Sequence, residues 1–291
     1  MKTQMKADIM IVLVALCWGS SCLVTKFALE DLQEFNLTAI RFLVGFAPSF
    51  ILFYRRLNID KTSITFSAAL AANYFVVMAF FSFGVQYTSV SKAGLLTCLA
   101  GVFVPVINFL VFRKRIGAKT VFCALATVFG VYILSMGGVN ETLGLNIGDM
   151  FCVLCSLFFA IHIMLVGFAV KRVDAVTLTV FQTGFVGFYS LLAAFLLETP
   201  GLPQTAGSWF SVLWLSVICG VIAMLLQNTA QKYTSDTHAG IIFTIEPVFA
   251  VFLAYLFLGE TLTFYGYIGG AIILACIVLL EINFTPKRLK S

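Results

Sequence analysis

The chain has 291 residues, of which 61% are hydrophobic and 11% charged, and a formal net charge of +5. Soluble domains run at roughly 45–50% apolar and 25% charged residues, so a water-soluble globular fold is excluded, and lipid must cover the apolar excess. A nucleic-acid surface is excluded as well, because the basic residues sit in short connections and tails between apolar runs.

The first stretch, MKTQMKADIMIVLVALCWGSS, has the order of a signal peptide: basic, apolar, then small. Its apolar run continues through Val24 with Trp18 in the middle, and it reads as an uncleaved first span. A helix needs about 20 apolar residues to cross about 30 Å of hydrocarbon. Ten stretches meet that requirement, at about 8–26, 36–54, 66–86, 91–112, 118–136, 148–169, 176–197, 208–229, 238–258 and 262–281. Backbone groups in lipid must bond internally, and runs of this length and uniformity are helices rather than barrel strands. The predicted fold class is all-α, a polytopic membrane protein of ten transmembrane helices. Most of the 8 cysteines fall inside spans, where a thiol acts as a small hydrophobe. Cys152 and Cys155 have redox-like spacing but no second pair, and packing is the reading taken. No nucleotide-binding loop, metal-ligand cluster or nucleophile–base arrangement occurs, so neither a cofactor, a metal nor an enzymatic activity is expected.

With the N-terminus inside, the basic residues at 55–61, 113–119, 171–172 and 232 and those of both tails fall on the inner face. Lys26 and Lys92 lie outside at span ends, with Glu30, Asp31, Glu34, Glu141, Glu198 and Glu260. The positive-inside rule puts both termini in the cytoplasm. The chain is also a duplication. A shift of 146 positions without a gap pairs Tyr87-Thr88-Ser89 with Tyr233-Thr234-Ser235, and Ala93-Gly94 with Ala239-Gly240. It also pairs Val102-Phe103 with Val248-Phe249 and Leu110 with Leu256. Two repeats are expected, 1–140 and 141–291. Five spans is an odd number, so the second repeat enters the membrane inverted. Inverted repeats are an architecture of secondary transporters, with a substrate site near the midplane where the halves meet.

Two copies of YTS-x(3)-AG, Trp18-Gly19-Ser20 in the first span, Arg41-Phe42 in the second and Glu246-Pro247 followed by LGETL in the ninth resemble the EamA branch of the drug/metabolite transporter superfamily. The resemblance covers about 8–136 and 148–281. It implies a ten-helix carrier with an inverted five-plus-five repeat, set in a bacterial inner membrane. Members mostly export amino acids, related metabolites or toxic small molecules, and some import. The first half departs from the pattern. Gly101 stands where the second half has Pro247, with Pro105 one turn later, and Lys114 stands where the second half has Glu260. The halves are therefore not functionally equivalent.

Five residues are candidates for a mixed aromatic and polar substrate pocket: Trp18, Tyr74, His162, Gln227 and Glu246. Glu246 is the one carboxylate deep inside a span, and a charged acid there faces a cavity or a partner. It serves either as a substrate-amine contact or proton site, or as a protonated acid bonded to backbone freed by Pro247. His162 titrates with substrate or holds two helices together. Trp18 lies away from the interfacial belt and lines a cavity or packs on a neighbour. Ser20 and Ser21 share its face. Asn73, Tyr74, Met78 and Phe81 recur at helical spacing in the third span, as do Met224, Gln227 and Asn228 in the eighth, either as cavity lining or as interhelical bonds. Arg41 reads as an anchor near the outer face, and His238 as interfacial.

The leading expectation is a secondary transporter moving a small metabolite or amino acid, outward by preference, by alternating access around a midplane cavity. Its partners are a small-molecule substrate, the lipid bilayer and, if coupling runs through Glu246 or His162, protons. No nucleic acid is expected, and the sequence is silent on oligomeric state. The alternatives are a lipid-linked or hydrophobic-cation carrier with a laterally open cavity, a membrane-embedded enzyme, and a non-transporting scaffold or sensor.

Overall fold

Each apolar run corresponds to a helix in the computed structural model, which describes residues 2–113, 117–136, 146–233, 242–243 and 245–281. The first three spans are α1 (Lys2–Ala28), α2 (Glu34–Phe53, continued by one 3-10 turn, Tyr54–Arg56) and α3 (Lys61–Tyr87). The fourth span is broken near its middle into α4 (Val90–Thr97) and α5 (Ala100–Phe112). Then come α6 (Ala118–Met136), α7 (Ile147–Ala169) and α8 (Ala175–Leu197). The eighth span is continuous but wound in two ways, with α9 (Ala206–Leu213) and α10 (Ala223–Ala230) flanking a π-helical stretch, Trp214–Ile222. α11 (Ile245–Leu258) and α12 (Phe264–Glu281) complete the chain. Seven of these ten helical runs are long and apolar enough to cross a membrane, and three are shorter apolar helices. The described ninth helix, 14 residues, spans about 21 Å at 1.5 Å per residue. The sequence places its first turns at 238–244, largely outside the described residues, as is His238.

The ends of the helices are written in the sequence. Asp60, Ser89, Asp174 and Thr205 each accept a backbone N–H of the turn that follows, and Asn146 with Asp149 forms a reciprocal capping box at the start of α7. α11 stops at Gly259, whose φ of 63° is the left-handed conformation that a side chain resists. The sides of the helices show their solvent. On α6, Val121, Phe122, Leu125, Val128, Phe129 and Tyr132 are all exposed and recur at helical spacing. In water that face would be an aggregation site, and in a bilayer it is the lipid contact.

The packing has an order of its own. α3 lies along α7, and five spans later the eighth span lies along α1. α2 packs on α8 and α6 on α12, pairs that map onto themselves when spans are renumbered by five. α11 packs against α1 and α4, while the fourth span packs against α7 and α11. Small residues set the closest crossings. A Cβ on Gly269 would stand 2.6 Å from the Gly130 carbonyl oxygen, so α6 and α12 touch backbone to backbone.

Candidate functional site

A cavity of about 40 Å³ lies where α1, α2, α3, α4, α7 and α11 converge. α1 contributes Trp18 and Ser21, α3 contributes Tyr74, Val77, Met78 and Phe81, and α11 contributes Glu246. Arg41, Thr97, Cys155 and Phe159 complete the wall. Its volume is about that of one or two waters, against roughly 300–1,000 Å³ for ligand pockets in general. The helices are thus drawn in around the site.

The sequence of α11 explains how an acid comes to sit here. The described helix begins at Ile245, which puts Glu246 and Pro247 in its first turn. A proline in a first turn has no intrahelical N–H bond to lose. The carboxylate of Glu246 opens into the cavity and accepts no hydrogen bond among the described residues. Its backbone is held on both flanks. A Cβ on Gly19 would be 2.7 Å from the Glu246 carbonyl oxygen, and one on Gly94 would be 2.7 Å from the Ala250 Cβ. Two glycines, one from α1 and one from α4, form the slot in which this helix is seated.

Trp18 is the second fixed point. Its indole stacks on Phe243 with centroids 5.5 Å apart and meets Phe159 edge-on, also at 5.5 Å. Its Nε1–H donates to the Cys219 carbonyl at 3.0 Å, and the Cys219 thiol donates in return to the Cys17 carbonyl at 3.1 Å. Trp214 Nε1–H donates to Ser20 Oγ at 3.0 Å, and that hydroxyl donates to the Cys17 carbonyl at 2.7 Å. These bonds fall on the π-wound stretch Trp214–Ile222, where an indole from α1 supplies a donor to one carbonyl.

The five sequence candidates divide. Trp18, Tyr74 and Glu246 line the cavity together. His162 is buried one layer behind, its ring 4.6 Å from that of Tyr74 and its Nε2 3.4 Å from Gln182 Nε2 on α8. Gln227 is buried on α10 away from the cavity wall, next to Asn228, whose amide donates to Thr179 Oγ1 at 2.8 Å. Ser20 and Ser21 part company: Ser21 faces the cavity, and Ser20 faces an apolar groove of about 510 Å³ between α1, the upper eighth span and α11. In the third span Tyr74, Met78 and Phe81 share the cavity face, while Asn73 does not reach it. Arg41 is a correction. It is 5% exposed and lines the cavity. Position along a span cannot tell an anchor from a lining residue, since both sit near a helix end. Cys152 and Cys155 are free and buried, as packing required.

Charged groups that the sequence placed at span ends cap distant helices at one end of the bundle, the end that carries Glu198 and Glu260. Glu198 accepts from Phe35 N–H at 2.7 Å, Asn36 N–H at 2.8 Å and Asn36 Nδ2 at 2.8 Å, so it caps α2 from a distant helix. Glu260 does the same for α4, accepting from Val90 N–H at 3.1 Å, Ser91 N–H at 3.0 Å and Ser91 Oγ at 2.9 Å. Both carboxylates lie where a helix N-terminus favours negative charge. Lys26 Nζ donates to the Val85 and Gln86 carbonyls at 2.8 and 3.0 Å, neutralising the end of α3. Asp149 accepts from Thr88 Oγ1 at 2.6 Å and pairs with Lys92 at 3.7 Å, both charges being buried. Outside the spans, the Gln204 N–H donates to Asp31 at 2.7 Å and holds that carboxyl below the usual carboxylate range. Glu260→Ala is expected to cost about 1–2 kcal/mol, the loss of a helix cap, read as a lower melting temperature in detergent.

The sequence profile of the EamA-like transporter family matches residues 5–136 and again 146–282. An uncharacterized transporter of Archaeoglobus fulgidus is 29% identical over 96% of this chain and 87% of its own length. A second from that organism is 30% identical over 72% of this chain and 74% of its own. The uncharacterized transporter YetK of Bacillus subtilis is 26% identical over 95% of this chain and 86% of its own. A solved crystal structure, 17% identical, superposes with a TM-score of 0.69 over 94% of this chain and 96% of the other, a likeness of fold.

Proposed function

The chain belongs to the EamA-like transporter family, and from that premise we propose that it is a secondary carrier, built from repeats 1–140 and 141–291, for a small metabolite or amino acid. The observation that carries this reading is the cavity shared by both halves, where the carboxylate of Glu246 stands without a hydrogen-bond partner among the described residues beside Trp18 and Tyr74. An aromatic wall with one acid suits a small organic amine or zwitterion better than a bare ion. Alternating access follows from a rocking of one half on the other about this point. The glycine slots around α11 and the small-residue crossings are surfaces on which such a motion can run. Opening at the acidic end would release the caps at Glu198 and Glu260. The positive-inside pattern supports cytoplasmic termini, which makes that end external, and export is the direction that the family resemblance favours.

The test is Glu246→Gln in proteoliposomes, with labelled amino acids moved with and without a pH gradient. Transport is expected to fall at least ~10-fold, about 1.4 kcal/mol in the barrier, and to lose its response to the gradient. A variant that keeps both its rate and its pH dependence removes Glu246 from the mechanism. The apolar groove beside Ser20 supports a second reading, a carrier of apolar cations entering from lipid. It predicts movement of a lipophilic cation, such as tetraphenylphosphonium, and none of any amino acid.

A further inference from the structure

Glu246 is not the sole charged group at the cavity. Arg41 lines it from α2, is 5% exposed, and has an Nε–H fully enclosed with no hydrogen-bond partner. A guanidinium carries five N–H donors and no acceptor, and it stays charged in proteins. Among the described residues Arg41 forms no ion pair and donates no hydrogen bond; its one charge contact is the Phe42 ring, 5.1 Å from Cζ. Two described lysines are matched, buried Lys92 by Asp149 and half-buried Lys26 by the carbonyls that end α3. A charge held at membrane depth faces a cavity and meets a partner there. Here the described residues supply the cavity and no direct partner, Glu246 on the same wall forming no ion pair with Arg41.

We infer that Arg41 binds a carboxylate of the transported solute, an assignment that rests on the carrier reading above. The planar fork of a guanidinium fits the two oxygens of a carboxylate in a bidentate pair. A phosphate group would bring a charge of about −1.5 to −2 against one guanidinium, with Glu246 on the same cavity adding repulsion. A carboxylate is neutralised by one arginine and leaves Glu246 for the opposite, amine-bearing side of the same molecule. Tyr74 stands between the two roles, since it lines the cavity and packs edge-on against Phe42 at 6.0 Å, next to Arg41 in the chain. The function of α2 changes accordingly. Its buried face holds Leu37, Phe42 and Gly45 in the bundle and presents one cation to the solute.

The experiment compares melting of the detergent-purified protein in sodium acetate, acetamide, sodium phosphate and sodium chloride, for the wild type, Arg41→Lys and Arg41→Gln. Acetate at ~100 mM is expected to raise the wild-type melting temperature by at least about 2 °C over chloride, as ligand binding to the folded state must. Acetamide, which has the shape without the charge, is expected to give no rise, and phosphate a smaller one than acetate. Arg41→Gln is expected to abolish the acetate effect, and Arg41→Lys to keep it at several-fold higher half-saturation. If the glutamine variant does not fold, the wild-type difference between acetate and acetamide and the lysine variant decide. Equal effects of acetate and acetamide, an acetate effect unchanged in folded Arg41→Gln, or a larger phosphate effect overturns the inference. A parallel transport arm in proteoliposomes sets labelled amino acids against their amides, with a preference of at least ~10-fold for the acids expected. Should the acetate effect need Arg41 while no amino acid is moved, the anion site stands and the amino-acid carrier reading falls.

Discussion

Asp149→Ala is expected to destabilise the protein by about 3–5 kcal/mol, because it strips a carboxylate partner from a buried cation rather than removing a contact between neutral groups. The two side chains are 0% and 5% exposed and their charged atoms lie 3.7 Å apart. Asp149 does more than pair with Lys92. It accepts the Thr88 hydroxyl at the end of α3 and closes the capping box of α7 with Asn146. Alanine removes all three roles and leaves an ammonium enclosed at the junction of α3, α4 and α7. The measurement is thermal melting in detergent beside the double variant Lys92→Met/Asp149→Leu. Replacing both charges with apolar groups leaves no orphan and is expected to recover most of the loss, as such replacements often do. A single variant that melts with the wild type would mean that Lys92 reaches water in solution.

The second large effect is at Gly19. Its Cβ would lie 2.7 Å from the Glu246 carbonyl oxygen and 3.1 Å from Phe249 Cβ, distances that only a shift of α1 or α11 can relieve. Gly19→Ala is expected to cost about 1–3 kcal/mol as an overpacked contact, and Gly19→Leu to prevent assembly. Because the displaced atom belongs to the residue that lines the cavity, Gly19→Ala is also expected to reduce transport at least ~10-fold wherever it folds, against the same labelled solutes. Gly207→Ala is the control. Its nearest neighbour would be Thr205 Oγ1 at 3.8 Å, and alanine in an exposed helix adds up to about 1 kcal/mol of helix propensity. Transport by Gly19→Ala at the control's rate would separate the crossing from the mechanism.

The fold was legible because it depends on one-dimensional quantities. Apolar length marks a span, a cap residue its start, and Gly259 an end, and each can be read without knowing a neighbour. Trp18, Tyr74 and Glu246 were legible for a related reason, each being a residue type out of place at its depth. Arg41 was not, since an arginine two turns into a helix has the same pattern whether it points to headgroups or inward. Depth comes from how α2 seats against the π stretch through Gly45, which a Cβ would bring to 3.0 Å from Ser216 Oγ. The trans caps were beyond reach as well. Glu198 and the N-terminus of α2 are separated by more than 160 residues, and no local rule joins them. His162 shows the converse: polarity in a span announces a partner, and here the partner is Gln182 rather than the cavity. Gln227 is buried off the cavity wall, and its Nε2 has no hydrogen-bond partner among the described residues.

The π stretch of the eighth span bears on how this chain can change length over time. In an ordinary helix one residue lost turns everything beyond it by about 100°, so that buried faces meet lipid and lipid-facing ones meet the core. Between Trp214 and Ile222 the winding is looser, and a lost residue can be taken up by tightening to the usual pitch. The cost falls on the carbonyl of Cys219, which the tighter ladder would reclaim from Trp18. Deletion of a single residue is therefore best tolerated in this span, and it resets Trp18 on the wall of the cavity rather than the fold around it.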